Sequence, residues 1–368
     1  MILSRRSGIF HEKDIMEKII YGIQQIGVGV SDAVEGFHWY GRMLGADVKV
    51  FDDSNTATYM ARYMGGSPHQ KRAILAANLQ GGSCYEVWQF ADRTPQPAAE
   101  EISVGDLGIY AAKIKAKNIN DAHSEAKSRG GKTSDILQNP GKQQFFYMDD
   151  LHGNKLQVVE ASDWFKPNKR HATGGVCGCI IGVSDIERSR KLYSDVLGYD
   201  SAIYDETGTF SDLAPLKGGD GEFRRVLLTH SKERRGRMSA LLGRSQIELV
   251  QSLSGTPRKI FEGRYWGDIG FIHLCFDIHG MAALKADCAA AGFPFTVESD
   301  PAFQMGAAAG HWSYLEDPDG TLIEFVETKK IPLMKKWNWY LNLENRDPLK
   351  PLPRWLISAM GMNRVKMR

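Results

Sequence analysis

Long apolar runs are missing from this chain. No stretch of eighteen or more apolar residues occurs, so nothing reads as a membrane-spanning helix. The opening MILSRRSGIFHEKDIMEKII lacks the apolar centre of a signal peptide; residues 1–19 are read as an extension, with the fold beginning beyond Met16. An excess of one charge is also missing. Lys and Arg number 46 against 44 Asp and Glu, a net charge of +2, which gives no electrostatic case for nucleic acid. Cysteine is sparse and odd in number, five in 368 residues. That argues against a disulfide framework and for free thiols in a reducing, cytoplasmic setting. Cys177 and Cys179 form a Cys-x-Cys pair, but no second cluster completes a zinc site, so both are read as strand residues.

Internal similarity is present along most of the chain. Residues 26–53, IGVGVSDAVEGFHWYGRMLGADVKVFDD, lie against 179–206, CIIGVSDIERSRKLYSDVLGYDSAIYDE. GSCYEVWQ (82–89) matches RSQIELVQ (244–251), and GDLGIYAAKIK (105–115) matches GDIGFIHLCFD (267–277). YMDDLHGNKLQVVE (147–160) matches YLEDPDGTLIEFVE (314–327). Each quarter opens with an apolar strand. A polar pair such as Ser31-Asp32 then caps a helix, which ends at a glycine such as Gly45 or Gly130. Strands follow. The reading is a duplicated α+β chain of four βαβββ units, with helices expected over 33–44 and about 120–129. Two modules, 20–161 and 175–328, are joined by the linker 162–174 and followed by a tail, 329–368.

GVSDIERSRKLYSDVLG and LEDPDGTLIEFVE resemble the opening and closing signatures of the vicinal oxygen chelate superfamily, the glyoxalase/bleomycin resistance/extradiol dioxygenase fold. The resemblance spans roughly residues 20–328. It implies that paired βαβββ units curl mixed sheets into cups with the helices outside, and that metal ligands come from the first and last strands of each unit. Strand alternation then says which side chains face the cup. Ile26, Val28 and Val30 form one face of the first strand, leaving Gln25, Gly27 and Gly29 inward. His273 and Cys275 point inward between Ile272, Leu274 and Phe276. Glu86 shares a face with Cys84 and Trp88, and Glu324 with Leu322 and Val326. A carboxylate in the middle of an apolar strand is costly unless paired or on a metal.

Carried over position by position, unit one offers Gln25 and Glu86, unit two Ala111 and Gln157, unit three Gly178 and Glu248, and unit four His273 and Glu324. If unit one pairs with unit four, one cup gathers Gln25, Glu86, His273 and Glu324. That set resembles the ligands of glyoxalase I, most closely in its fused, double-length form. If sequential units pair instead, neither half completes it. The resemblance implies one divalent metal ion (Zn, Ni, Co, Mn or Fe), a small-molecule substrate, and lyase, isomerase or epimerase chemistry on a carbonyl compound or its thiol adduct. Glu324 is the expected base, with Glu86 the alternative. A metal-free binding protein of the bleomycin resistance kind is the first alternative. A ring-cleaving dioxygenase is the second, disfavoured because Gly178 stands where a second histidine belongs in a 2-His-1-carboxylate site. Glu248 is read as a substrate contact or buried ion-pair member, and Trp88, Trp312, Tyr147 and Tyr314 as cup or core residues. His38, His123 and His311 are expected at the surface. The tail carries ten Lys and Arg among Trp337, Trp339, Tyr340 and Trp355; Pro348, Pro351 and Pro353 break any long amphipathic helix, so it is read as a strap across the units. A monomer or homodimer is expected.

Overall fold

The computed structural model of the chain describes residues 17–168, 170–305 and 308–367; most of the N-terminal extension lies outside them. The first unit is β1 (Ile19–Gly29), α1 (Ala33–Leu44), β2 (Val48–Thr56), β3 (Gln70–Ala77) and β4 (Cys84–Phe90). The second is β5 (Gly108–Ala116), α2 (Ile119–Ser128), β6 (Leu137–Gln138), β7 (Gln144–Asp149) and β8 (Lys155–Glu160). The third is β9 (Thr173–Gly182), α3 (Ile186–Arg190), β10 (Ser201–Gly208), β11 (Phe223–Thr229), the short α4 (Ser239–Leu242) and β12 (Gln246–Ser252). The fourth is β13 (Gly270–His279), α5 (Met281–Ala290), β14 (Val297–Glu298), β15 (Gln304–Met305), β16 (Ala308–Glu316) and β17 (Leu322–Met334). A final strand, β18 (Trp339–Asn342), and α6 (Arg354–Ser358) belong to the tail.

Helix α1 starts and stops as its sequence dictates. The Asp32 carboxylate accepts from the backbone N–H groups of Val34 and Glu35, and Gly45 closes the helix in the left-handed conformation at φ 72°. Helix α2 begins one residue earlier than expected.

The sheets pair the outer units together and the inner units together. One sheet runs β14-β16-β17-β13-β1-β4-β3-β2, with β15 and β18 attached at β16 and β17. The other runs β10-β11-β12-β9-β5-β8-β7-β6. Each sheet therefore takes one unit from each half of the sequence, joined by antiparallel pairing of first strands, β1 with β13 and β5 with β9. Of the two pairings open in the sequence, first-with-fourth is the one present.

One apolar cluster carries the helix-side faces of both sheets, including Ile26, Val28, Val30, Leu274, Phe276, Ile323 and Phe325. A second fills the outer cup with Cys84, Trp88, Tyr314 and Leu322, and a third fills the inner cup. Ile272 departs from the expected alternation. It joins the outer-cup cluster with Trp266, near the register shift between Gly27 and Val28.

The tail is built into the fold as a strap. β17 runs on to Met334 and pairs β18, and Leu333, Leu341, Ile357 and Met360 are buried in the outer-cup cluster. The Arg364 guanidinium holds Asp47, and Tyr21 donates to the Pro348 carbonyl at 3.0 Å. Trp337 and Trp355 remain exposed. Of the three histidines expected at the surface, two reach it in part and one does not. His38 and His123 are half-buried, and His311 is a buried strand residue 3.3 Å from Glu298.

Candidate metal centre

Four central strands, β4-β1-β13-β17, carry two neighbouring rows of residues across the outer cup. One row sets Gln25 beside Cys275 and Cys275 beside Glu324; the next sets Glu86 beside Gly27 and Gly27 beside His273. The four expected ligands thus meet on one wall, and all are buried. His273 Nε2 lies 3.2 Å from Glu86 Oε2 and 3.2 Å from Glu324 Oε2. Gln25 Nε2 donates to Glu86 Oε2 at 3.0 Å and to Glu324 Oε2 at 3.3 Å. His273 Nε2 has hydrogen-bond geometry to neither carboxylate, and Gln25 Oε1 is buried without a partner among the described residues.

Gly27 explains how the imidazole fits. A β-carbon at position 27 would fall 2.3 Å from His273 Cε1, so only a glycine leaves the ring its place. Nearly parallel to the imidazole, at 19° and 6.0 Å between centroids, lies the Trp266 indole, and the Tyr314 hydroxyl stands 3.3 Å from Nδ1. Burial lowers the His273 pKa, but the Glu324 and Glu86 carboxylates outweigh it and the net direction is upward. Burial is also the largest influence on Glu324 and pushes its carboxyl up, with Glu86 reinforcing and His273 opposing.

The donor set fits a divalent ion. Ligand atoms about 2.0–2.2 Å from one cation stand about 3–3.4 Å from one another, close to the separations found here. One imidazole, two carboxylates and one carboxamide suit a borderline metal.

The inner cup shows what the same scaffold does with a cation of its own. The position of His273 is taken by Ala111, and that of Gly27 by Ile180; these two face each other across β5 and β9. The bulk has changed strands. One row over, Gly178 replaces Gln25 and faces Lys113, where the outer cup has Cys275. Lys113 Nζ donates to Glu248 Oε2 at 2.7 Å and to Gln157 Oε1 at 2.5 Å. Glu248 Oε1 accepts from Tyr204 at 2.7 Å and from Arg225 at 2.7 Å and 3.0 Å, and Arg225 also holds Asp212 at 2.7 Å. Burial would raise the Glu248 pKa, but Lys113 and Arg225 drive it down to about 2. Glu248 is therefore an ion-pair member. Its two cations, Lys113 and Arg225, match two carboxylates in number, Glu248 and Asp212. Among the described residues, Glu86 and Glu324 have no Lys or Arg within ion-pair distance.

Sequence reasoning missed Lys113, although it shares a strand face with Ala111. It also missed Trp266, which sits just ahead of the repeated segment, at the position that Val104 holds in the inner cup. The Trp88, Trp312 and Tyr314 side chains line the cavity at Glu86 and Glu324, whereas Tyr147 belongs to the inner cup and receives a 3.4 Å hydrogen bond from Gln157.

A family model described as the Glyoxalase/Bleomycin resistance protein/Dioxygenase superfamily matches residues 179–312. This is the vicinal oxygen chelate fold in double length. Solved structures of that size share it at low identity. Glyoxalase I from Zea mays is 14% identical with a TM-score of 0.51, covering 84% of this chain and 92% of its own. A mutant form of the same maize enzyme is 13% identical with a TM-score of 0.52 over the same shares. A dioxygenase candidate from Bacillus subtilis subsp. subtilis str. 168 is 14% identical with a TM-score of 0.55, covering 84% of this chain and 86% of its own. At this identity the likeness concerns fold alone. No curated protein matches the chain by sequence. Among the described residues, no helix is long and apolar enough to cross a membrane.

Proposed function

We propose that the vicinal oxygen chelate cup formed by the outer units binds one divalent metal ion through Gln25, Glu86, His273 and Glu324 and moves a proton next to a substrate carbonyl, as a glyoxalase-type lyase, isomerase or epimerase. The observation that carries this reading is the contrast between the cups. The inner carboxylates are matched by buried Lys113 and Arg225. Among the described residues the outer pair has the neutral Gln25 amide and His273 beside it but no Lys or Arg, and unmatched buried carboxylates are expensive.

A bound Zn, Ni, Co, Mn or Fe ion supplies Lewis-acid polarisation of adjacent substrate oxygens. The chain's residues do the rest. With Nδ1 donating to the Tyr314 oxygen, His273 presents the lone pair of Nε2. A half-turn of the Gln25 carboxamide exchanges its nitrogen and its orphaned oxygen. Glu324 takes the proton from the carbon beside the carbonyl and returns it to the neighbouring carbon; Glu86 is the alternative base. Burial of Glu324, which favours its protonated form, suits a carboxylate that must accept and release a proton. Ring cleavage is the weaker reading, because this cluster holds one histidine where that chemistry uses two. Five buried free thiols accord with a reducing, cytoplasmic setting.

The test is deuterium uptake from solvent at the carbon next to the carbonyl, followed by NMR over a panel of 2-oxoaldehydes, their thiol adducts and 2-hydroxyketones. Exchange should occur with at least one member and fall roughly 10²–10⁴-fold in Glu324→Gln. Exchange that survives Glu324→Gln and Glu86→Gln unchanged would sink the assignment.

A further inference from the structure

The walls around the proposed centre carry information about what it receives. The cavity bordering Glu86 and Glu324 holds about 190 Å³; Trp88, Trp266, Phe303, Trp312 and Tyr314 form its aromatic side, and Asn55, Thr56, Thr58 and the exposed Tyr59 a polar edge open to solvent. Among its described lining residues the sole cation is Lys71, and that ammonium is already paired with Asp53 at 3.2 Å. A smaller chamber of about 80 Å³ borders Gln25, shares Phe303 and Trp312 with the first, and is otherwise lined largely by aliphatic side chains such as Leu75, Leu241, Ile331 and Met360. The tail supplies the last two, so the strap closes the apolar end of the cup.

Cations do occur nearby, but in another place. Arg62, Lys259 and Arg264 line a groove that has only Trp266 in common with the cavity. Arg62 and Arg264 are committed to backbone carbonyls, of Thr296 and of Ile260 and Ile269. A carboxylate-bearing thiol such as glutathione would meet no unpaired cation among these lining residues, and each charge drawn inside without a partner costs several kcal/mol.

One polar group in the wall awaits a partner. The Nε1–H of Trp266, the residue shared by cavity and groove, is buried without an acceptor among the described residues, a deficit of about 1–3 kcal/mol unless something supplies one. Its position is rigidly set. The Trp266 backbone N–H donates to Tyr63, Asp268 receives the Tyr265 N–H at 2.8 Å and Arg93 at 2.6 Å, and Gly267 lies so near Trp88 that a β-carbon there would fall 2.2 Å from the ring.

We infer that the outer cup takes an uncharged carbonyl compound with a ring-sized apolar body, without a charged thiol carrier, and that Trp266 donates its indole N–H to an oxygen of that compound. An apolar cavity of about 150 Å³ already admits benzene, so a single substituted ring fits the space. The inference rests on the proposed metal reading for the placement of the substrate's oxygens, and on the walls alone for the body.

The experiment is calorimetric titration of the full-length protein, first chelator-treated and then zinc-loaded. The probes are 2-hydroxy-1-phenylethanone, hydroxyacetone, which has the same oxygens and no ring, and glutathione. The ring compound should bind roughly tenfold tighter than hydroxyacetone or better in both preparations. Glutathione at millimolar concentration should neither bind nor compete. Trp266→Phe keeps the ring and removes the donor, so it should weaken the phenyl probe by roughly five- to tenfold and leave zinc stoichiometry unchanged. Equal affinity for the two ketones, no binding of the phenyl probe, or glutathione binding would overturn the substrate class. If Trp266→Phe binds the probe like wild type, the donor role is refuted; if that variant fails to fold, Trp266→His, which restores a ring N–H, decides the same point by retaining affinity or losing it. Failure to load zinc with the ring preference intact would refute the metal reading and not this one.

Discussion

Replacing Lys113 by methionine tests the claim that the inner cup is held by a protein cation standing in for a metal. The side chain is completely buried, and its ammonium bridges Glu248 and Gln157. Methionine keeps the length and removes the charge. Breaking a buried pair by deleting one partner costs about 3–5 kcal/mol. Glu248 would still have Arg225 and Tyr204, so the lower end, about 3 kcal/mol, is expected. The carboxylate points the same way: against burial, Lys113 and Arg225 together hold its pKa at about 2 rather than 4.5, a net shift of about 3 kcal/mol that the two cations share. A group whose folded pKa is depressed stabilises above its unfolded pKa, and the stability is lost as pH falls through the folded one. Wild type should therefore keep this contribution at neutral pH and lose it between about pH 4.5 and 2. Lys113→Met should move acid unfolding upward in pH and lower the urea stability by about 3 kcal/mol at neutral pH. In a double-mutant cycle, adding Glu248→Gln should recover part of the loss. A change under about 1 kcal/mol, or strict additivity in the cycle, would refute the pairing argument.

Two further outcomes follow from the same geometry. Gly27→Ala puts a methyl group into the imidazole of His273 without replacing any of the four ligands. Metal affinity should fall by roughly 10–100-fold while the circular dichroism spectrum stays unchanged; undiminished affinity in isothermal titration would count against the ligand role of His273. Asp277 is fully buried, and burial, partly opposed by hydrogen bonds from Thr328, raises its pKa to about 7. The folded state then holds a proton that the unfolded state has lost between about pH 4 and 7, so stability should decline as pH rises through that window by up to about 4 kcal/mol. Asp277→Asn should flatten the decline in a series of urea titrations; an unaltered slope would show that another group titrates.

The sequence made much of this legible, because the superfamily resemblance assigns function to positions and strand alternation decides which side chains share a face. Gln25, Glu86, His273 and Glu324 all came from matching short segments, and they meet because β1 and β13 lie side by side. What stayed hidden depended on pairs of residues. The exchange of Gly27 with His273 for Ile180 with Ala111 becomes visible only when register places them opposite each other. Nothing in the sequence sets Lys113 apart from other strand lysines; only the register places it across from Gly178. Trp266 lies in the loop ahead of that segment, where the other copy has Val104, so nothing in the matched residues marked the indole as part of the cavity. The strap was expected, but its role as one wall of the apolar chamber required seeing Ile331 and Met360 beside Gln25.

The most direct measurement is the divalent metal content of the purified chain by mass spectrometry, with wild type compared with His273→Ala and Glu324→Ala after reconstitution and desalting. One equivalent per chain in wild type, lost in both variants and kept in Lys113→Met, is the predicted result. A wild-type protein that retains none, or variants that retain a full equivalent, would contradict the assignment of the outer cup as a metal centre.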